Sequence, residues 1–349
     1  MPRLDILLPF SLPSPEHAAD LMRTLDLPSV ALLASRGRVQ SSSPRDAFAR
    51  ALPHEAWLAQ RFGLARGLDA GGSPPAAPGA MAALGLADAG RWFLLQPAHL
   101  HVARDHLVLT DRRQLALQET ESRALFDSAY TLFEEAGIPL RYGDAHTWFL
   151  RSDDWRALKT ATMDAACGRN IDIWMPKGAG ERAWRKLQNE VQMEWHAHPV
   201  NEARAGHGAK PVNSVWLWGG GEAGNAMPQP VYSQAWAPGW PRALAAAGAQ
   251  AAPVPTDAAA LLDAAPGRGL LLIDDLSAPA LAGDWSSWLE AFHAVEASWL
   301  APLLAGLRAG KLASLTLVMS DGSRLREIDV SRLSLKKFWI QPSLARLVP

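Results

Sequence analysis

Three groups of residues have types and spacing suited to chemistry. The first is His196-Ala197-His198, followed by Asn201, Arg204 and Asn213. On a strand, two histidines one residue apart face the same side, a spacing a metal can use. No Asp or Glu stands at a matching distance, so the expected role of His198, just before Pro199, is hydrogen bonding at an element end. Arg204 offers a planar fork of donors suited to phosphate or carboxylate. Its plainer alternative is an ion pair with Glu202 or Glu190, with Asn213 capping a turn. The second group is Gly219, Gly220 and Gly221, which follow the apolar run Val215-Trp216-Leu217-Trp218. Backbone N–H groups of such a turn can cradle an anion, and glycine is equally required where chain elements approach closely. The third is Ser320-Asp321-Gly322 after Leu315–Met319, together with Asp274 and Asp275 after another apolar run. Adjacent acids on a strand face opposite sides, so these two are not expected to act as a pair. No Gly-x-Ser-x-Gly elbow or phosphate-binding Gly-Lys-Ser/Thr loop is present.

The elements that must position these residues read as α/β. Asp5–Leu8 predicts a buried strand and Pro15–Leu25 a helix with Ser14 as its cap. Val30–Ala34 predicts a second strand and Ser43–Phe62 a largely helical stretch broken near Pro53. Ala70–Ala80, rich in Gly, Pro and Ala, reads as a linker. Short strands are expected at Arg91–Leu95, His99–Val102, His106–Leu109 and Trp148–Leu150. Helices are expected at Glu119–Ala136 and Gly180–Glu194. From Val212 the pattern predicts parallel α/β: strands at Val215–Trp218, Gly269–Asp274 and Leu315–Met319, helices at Trp240–Ala247 and Trp285–Leu307. Open α/β sheets bind ligands at the carboxyl ends of their strands, where the glycines and the acids fall.

Bulk properties narrow the function. The 349 residues carry 34 Lys plus Arg against 35 Asp plus Glu, a net charge of −1. With no basic surplus and no dense basic patch, a nucleic-acid partner is not expected. No apolar run is long enough for a membrane span, and Pro9 interrupts an N-terminal run too short for a leader. The single cysteine, Cys167, forbids an intrachain disulfide and points to a reducing, cytoplasmic setting. Fifteen tryptophans stand against three tyrosines. They are expected mainly in the core, with a Trp-rich interaction surface as the alternative.

The stretch His196-Ala-His-Pro-Val-Asn-Glu-Ala-Arg204, leading into Pro211-Val-Asn-Ser-Val-Trp-Leu-Trp-Gly-Gly-Gly221, resembles a segment of archaeal-type cofactor-independent phosphoglycerate mutases. There a His-Pro-x-Asn-x-x-Arg element precedes an Asn, an apolar strand and a Gly-rich turn. With Gln188–Met193 included, the resemblance is closest to the RpfE-type bacterial regulatory proteins, a family related to those mutases. His99–Asp105 and Gly168–Gly178 extend it to roughly residues 95–322.

The resemblance implies an alkaline-phosphatase-like α/β core with a mainly parallel sheet and a smaller inserted α+β domain. It places the first part of the core at 1–95, the insertion at 96–195 and the second part at 196–349. It also implies a departure. The mutases are two-metal enzymes with an Asp-Gly-x-Gly-Asp-like turn after the first strand, where this chain has Pro9–Pro13. Ala280 and Asp284 stand where the family has a metal-binding Asp and His, and Asp321-Gly322 where it has an Asp-His pair.

The reading is a non-catalytic regulatory or scaffold protein with no cofactor and no metal. Its partner is an anionic small molecule or a protein. The expected ligand cleft comprises His198, Asn201, Arg204, Asn213, Trp216, Trp218, Gly219–Gly221 and Asp321. On that reading Arg204→Ala weakens anion binding and leaves the fold intact. The enzymatic alternative is a mutase or phosphatase with a metal site rearranged around Asp284, Asp321, His293 or His198.

Overall fold

The computed structural model describes residues 2–69, 71–222, 232–242, 250–264 and 267–348. Its strands in chain order begin with β1 (Arg3–Leu8), β2 (Arg38–Pro44), β3 (Arg91–Ala98), β4 (Leu100–Ala103), β5 (His106–Leu109), β6 (Leu140–Asp144) and β7 (Thr147–Arg151). They continue with β8 (Ser214–Glu222), β9 (Gln234–Trp236), β10 (Gln250–Ala252), β11 (Arg268–Leu272), β12 (Ser314–Ser320) and β13 (Arg324–Ser331). The chain forms two compact units. The first comprises Met1–Ala47, Pro53–Phe62 and Met227–Pro349, the second Phe48–Leu52 and Gly63–Ala226.

The first unit is built on a seven-stranded sheet of order β10-β9-β11-β1-β12-β13-β2. The four pairings from β10 to β12 are parallel, and β13 and β2 close one side antiparallel. On one face Leu4, Ile6 and Leu8 alternate with residues of the other face, as a strand's period of two requires. They pack with Leu271, Leu315, Leu317, Met319 and Ile328 against the helices Pro28–Arg36, Trp285–Val295 and Ala301–Ala309. The Trp285–Leu307 helix expected from sequence is present, interrupted by a π turn at Glu296–Leu300. The buried Glu296 carboxylate accepts from Ser29 N at 2.6 Å and Val30 N at 3.2 Å. It thereby supplies partners to two of the orphan N–H groups at the start of the Pro28–Arg36 helix.

Four expectations are corrected here. Val30–Ala34 is helical, not a strand, because a short continuous apolar run carries no period of its own; Pro28 and Glu296 set its start. The stretch Ser43–Phe62 is helical only in its second half. Residues 38–44 form β2, paired antiparallel with β13, and the helix begins at Pro53, which opens it rather than breaking it. The helix near the N-terminus is shorter than expected, Ala18–Thr24, with His17 in place of Ser14 at its N-cap. Ala70–Ala80 is not wholly linker, since Ala77–Ala83 is helical. The helix expected over Trp240–Ala247 lies, beyond Arg242, outside the described residues.

The second unit holds a four-stranded antiparallel sheet, β6-β7-β3-β8, and the β4-β5 hairpin. The Glu119–Glu135 and Glu181–His196 helices cover the sheet, burying Phe93, Trp148, Trp184, Trp195 and Leu217 between them. β8 therefore departs from the parallel pattern expected from Val212 onward: it is antiparallel to β3. Nor does it end at Trp218. The three glycines continue the strand because the packing leaves no room for side chains. A Cβ on Gly220 would lie 2.3 Å from the Phe93 ring, and one on Gly221 2.9 Å from Pro75, while Gly219 adopts φ +74°.

Twelve of the fifteen tryptophans are buried, so the core reading of this residue type holds. Trp240 and Trp285 are half-buried, and Trp339 is exposed at 68 %, beside Phe338 and Leu333, which are also exposed. Cys167 is buried, and burial raises its thiol far above the ordinary range. It is an inert packing residue.

Candidate functional site

The segment from His198 to Gly221 comes together in the second unit, and its polar groups face the protein itself. His198 caps the Pro199–Gly206 helix, its Nδ1 accepting from Val200 N at 3.2 Å. His196 ends the preceding helix, so the two histidines do not share a strand face. Asn201 is 6 % exposed. Its Nδ2 donates to Trp195 O and Val212 O, and its Oδ1 accepts from Val212 N, all at 2.8 Å. Asn213 clasps Leu100 in the same way, accepting from its N and donating to its O at 2.8 Å each. Trp216 Nε1 donates to Ala161 O at 2.8 Å and Trp218 Nε1 to Gln96 Oε1 at 2.7 Å. Gly219 N donates to Ser73 Oγ at 3.0 Å.

Arg204 is 4 % exposed and bonds in three directions. Nε donates to Lys210 O at 2.8 Å, Nη1 to Glu121 Oε2 at 2.7 Å, and Nη2 to Leu115 O. Its acid partner is Glu121, neither Glu202 nor Glu190. Asn201, Arg204 and Asn213 thus fasten loops to helices and to β4. The motif visible in the sequence is a set of side chains replacing missing backbone partners.

The same region holds a titratable fastener. His99 is half-buried, with Nδ1 donating to Pro211 O at 2.8 Å. Burial, with Lys210, His101 and Arg204 nearby, lowers its pKa below the ordinary 6.5 despite that bond. A folded-state pKa below the unfolded one leaves stability intact above about 6.5 and removes it as pH falls. Urea midpoints are expected to decline from pH 7 to pH 5, and His99→Gln should flatten part of that slope. An unchanged slope would contradict the assignment.

The carboxyl end of the parallel sheet, in the first unit, is where an α/β fold places its ligands. β1 ends at Leu8, and the chain turns back through Phe10, a non-glycine residue with φ +55°. Ser11 Oγ donates to Leu8 O at 2.6 Å and Leu12 N to Ser320 O at 3.0 Å, tying this turn to the end of β12. Phe10 O accepts from Trp288 Nε1 at 2.9 Å, and the Phe10 ring meets the His54 ring edge-on at 5.6 Å. His54 Nδ1 lies 3.1 Å from Ser320 Oγ. Ser11, Leu12, His54, Trp288 and Ser320 are all buried.

Asp321, placed with the cleft by the sequence, lies here in the first unit, whereas His198–Gly221 belong to the second. Its Oδ1 accepts from Ser323 N (2.7 Å) and Arg324 N (2.6 Å), and its Oδ2 from Arg324 Nε (2.7 Å). Arg324 Nη2 also donates to Pro13 O at 2.8 Å, completing the closure. Asp274 accepts from Ser277 Oγ, and Asp275 is exposed. Asp284 caps the Trp285–Val295 helix through Ser287 N at 3.1 Å and Ser287 Oγ at 2.7 Å. His293 Nε2 accepts from Asp26 N at 3.3 Å.

Sequence reasoning missed Phe10, His54, Trp288 and Arg324. The one available signal was Pro53-His54-Glu55, a titratable pair at a helix start marked by proline.

The fold defines the class: a mixed α/β protein with a parallel-dominated sheet. A solved structure of a protein from Pyrococcus horikoshii shares the fold, with a TM-score of 0.54 and 12% identity over 95% of this chain and 87% of that one. In sequence the chain is homologous to cofactor-independent phosphoglycerate mutases. It is 28% identical over 155 residues to a probable 2,3-bisphosphoglycerate-independent phosphoglycerate mutase of Geobacter sulfurreducens, covering 44% of this chain and 38% of that protein. It is 36% identical over 56 residues to the 2,3-bisphosphoglycerate-independent phosphoglycerate mutase of Methanosarcina mazei, covering 16% and 14%. The chain thus spans well under half the length of these curated relatives. No protein-family model matches it.

Proposed function

We propose that the protein is a non-catalytic regulatory or scaffold descendant of a cofactor-independent phosphoglycerate mutase, of the RpfE type that its motifs resemble. The observation that carries this reading is the closure of the sheet's carboxyl end. The Phe10–Leu12 turn, Trp288, His54 and Ser320 fill that end with packed and mutually bonded groups.

A two-metal phosphoryl-transfer centre needs several carboxylates and imidazoles free to converge on paired cations. The residues present do not fit one. Both oxygens of Asp321 are engaged by Arg324 and turn amides, and Asp284 serves as a helix cap. Among the described residues no group of three His, Cys, Asp or Glu is placed to hold a metal ion.

The test is thermal unfolding of metal-stripped protein with manganese, zinc or magnesium, each with and without 3-phosphoglycerate, alongside mutase and phosphatase assays. A ligand held at a hundred times its dissociation constant adds about 2.7 kcal/mol, a readily measured shift. No metal-dependent shift and no turnover are expected. Metal-dependent stabilisation that grows with phosphoglycerate, accompanied by activity, would establish the enzymatic alternative. An Asp321→Asn variant would then be expected to lose that activity.

A further inference from the structure

A parallel sheet is normally buried by apolar contacts on both faces. Here the face opposite the apolar core is polar over the half nearest the amino ends of the parallel strands. Asp5, on the central strand β1, is in register with Thr316 of β12; Thr316 is in register with Asp329 of β13, and Asp329 with Arg38 of β2. Arg3 is in register with Arg268 of β11 on one side and Ser314 on the other. The Pro53–Arg61 helix covers only part of this face, through Trp57 and Arg61, both bonded to Glu327. Beside it lies a groove of about 710 Å³, within the usual range for small-molecule sites.

The charges in the groove are unequally satisfied. It is lined by five cationic side chains and three carboxylates. Each carboxylate already has partners. Asp5 accepts from Tyr232 Oη at 2.9 Å and Arg268 Nη2 at 3.2 Å, and Glu327 from Trp57 and Arg61. Asp329 accepts from Thr316 Oγ1 at 2.8 Å and Gln40 Nε2 at 2.6 Å. Among the described residues Lys337 donates only to a neutral carbonyl, Arg36 O, at 3.0 Å. Arg3 and Arg38 have no side-chain partner among the described residues. Two unpartnered guanidinium forks and an uncompensated ammonium thus line one groove, with a net excess of two positive charges.

We infer that this groove binds a small phosphorylated molecule carrying about two negative charges. Arg3, Arg38 and Lys337 hold the phosphate, and the Ser314 hydroxyl and the Asp329–Gln40 pair meet a polar body. The site stands at the opposite ends of the strands from the closed carboxyl end. It does not depend on whether the chain is catalytic.

The experiment is calorimetric titration of metal-free protein with inorganic pyrophosphate and with glucose 6-phosphate. Saturable binding of at least one probe is expected. Arg3→Gln and Arg38→Gln should each weaken it roughly tenfold, the scale of one charge-assisted hydrogen bond. Both positions are exposed, so the fold should tolerate the changes. Arg182→Gln, an exposed site with the same charge change in the other unit, should leave binding unaltered. Three results would overturn the assignment: no saturable binding of either probe, undiminished binding in both groove variants, or an equal loss in Arg182→Gln. Because no metal is present and no turnover is read, the outcome is separate from that of the metal and activity test.

Discussion

Arg204→Ala is expected to destabilise the protein by about 3 kcal/mol, seen as a lower urea midpoint. The substitution removes the donors for two carbonyls, Leu115 O and Lys210 O, and the cation facing Glu121. An unpartnered buried acceptor costs about 1–3 kcal/mol. Glu121 contributes less than a fully buried ion would, since 26 % of its side chain is exposed and solvent screens it. Arg204→Lys should recover only part of the loss, because one ammonium on a flexible stem cannot reach acceptors lying in three directions. A variant as stable as the parent would show that these bonds are replaced by water. The earlier expectation, that removing this guanidinium leaves folding intact, followed from treating its fork as facing a ligand.

Trp288→Ala should cost about 3–5 kcal/mol, the range for deleting a fully buried aromatic. Trp288 is 0 % exposed, packs edge-on against Phe292 at 5.2 Å, and holds the Phe10 carbonyl. Trp288→Phe keeps much of the volume and loses the Nε1–H bond, so a smaller cost of about 1 kcal/mol or somewhat more is expected. The order Ala far below Phe, measured by denaturant titration, would identify packing as the larger contribution. Equal losses in both variants would instead make the bond to Phe10 the dominant part.

Much of the architecture was legible where one face of an element is apolar and the other polar. The Glu119–Glu135 and Glu181–His196 helices carry a clear helical period, and β1 and β12 are bounded apolar runs. Reading failed where the deciding partner is far away in sequence. Val30–Ala34 is helical beside a cap supplied by Glu296, and residues 38–44 are extended because β13 lies alongside. The glycines after Trp218 read as a turn, whereas Phe93, Pro75 and Pro78 require them within a strand. The Asn201–Arg204–Asn213 pattern was visible as a set of strong donors. Residue type alone does not say whether donors face a ligand or a neighbouring loop, and here they hold loops.

The central position of β1 has a consequence for the order in which the protein is made. β1 pairs with β11 and β12, so a strand made early has its neighbours among residues 268–320. Glu296, the partner of Ser29 N and Val30 N, is equally late. On the ribosome, residues 3–36 must wait for most of the chain, whereas residues 63–222 can pair among themselves first. Pairings this distant in sequence close slowly, and an emerging Leu-rich strand without neighbours is exposed to aggregation. Asp5, Pro2 and Pro9, which punctuate that strand, are residues that interrupt strand stacking between chains.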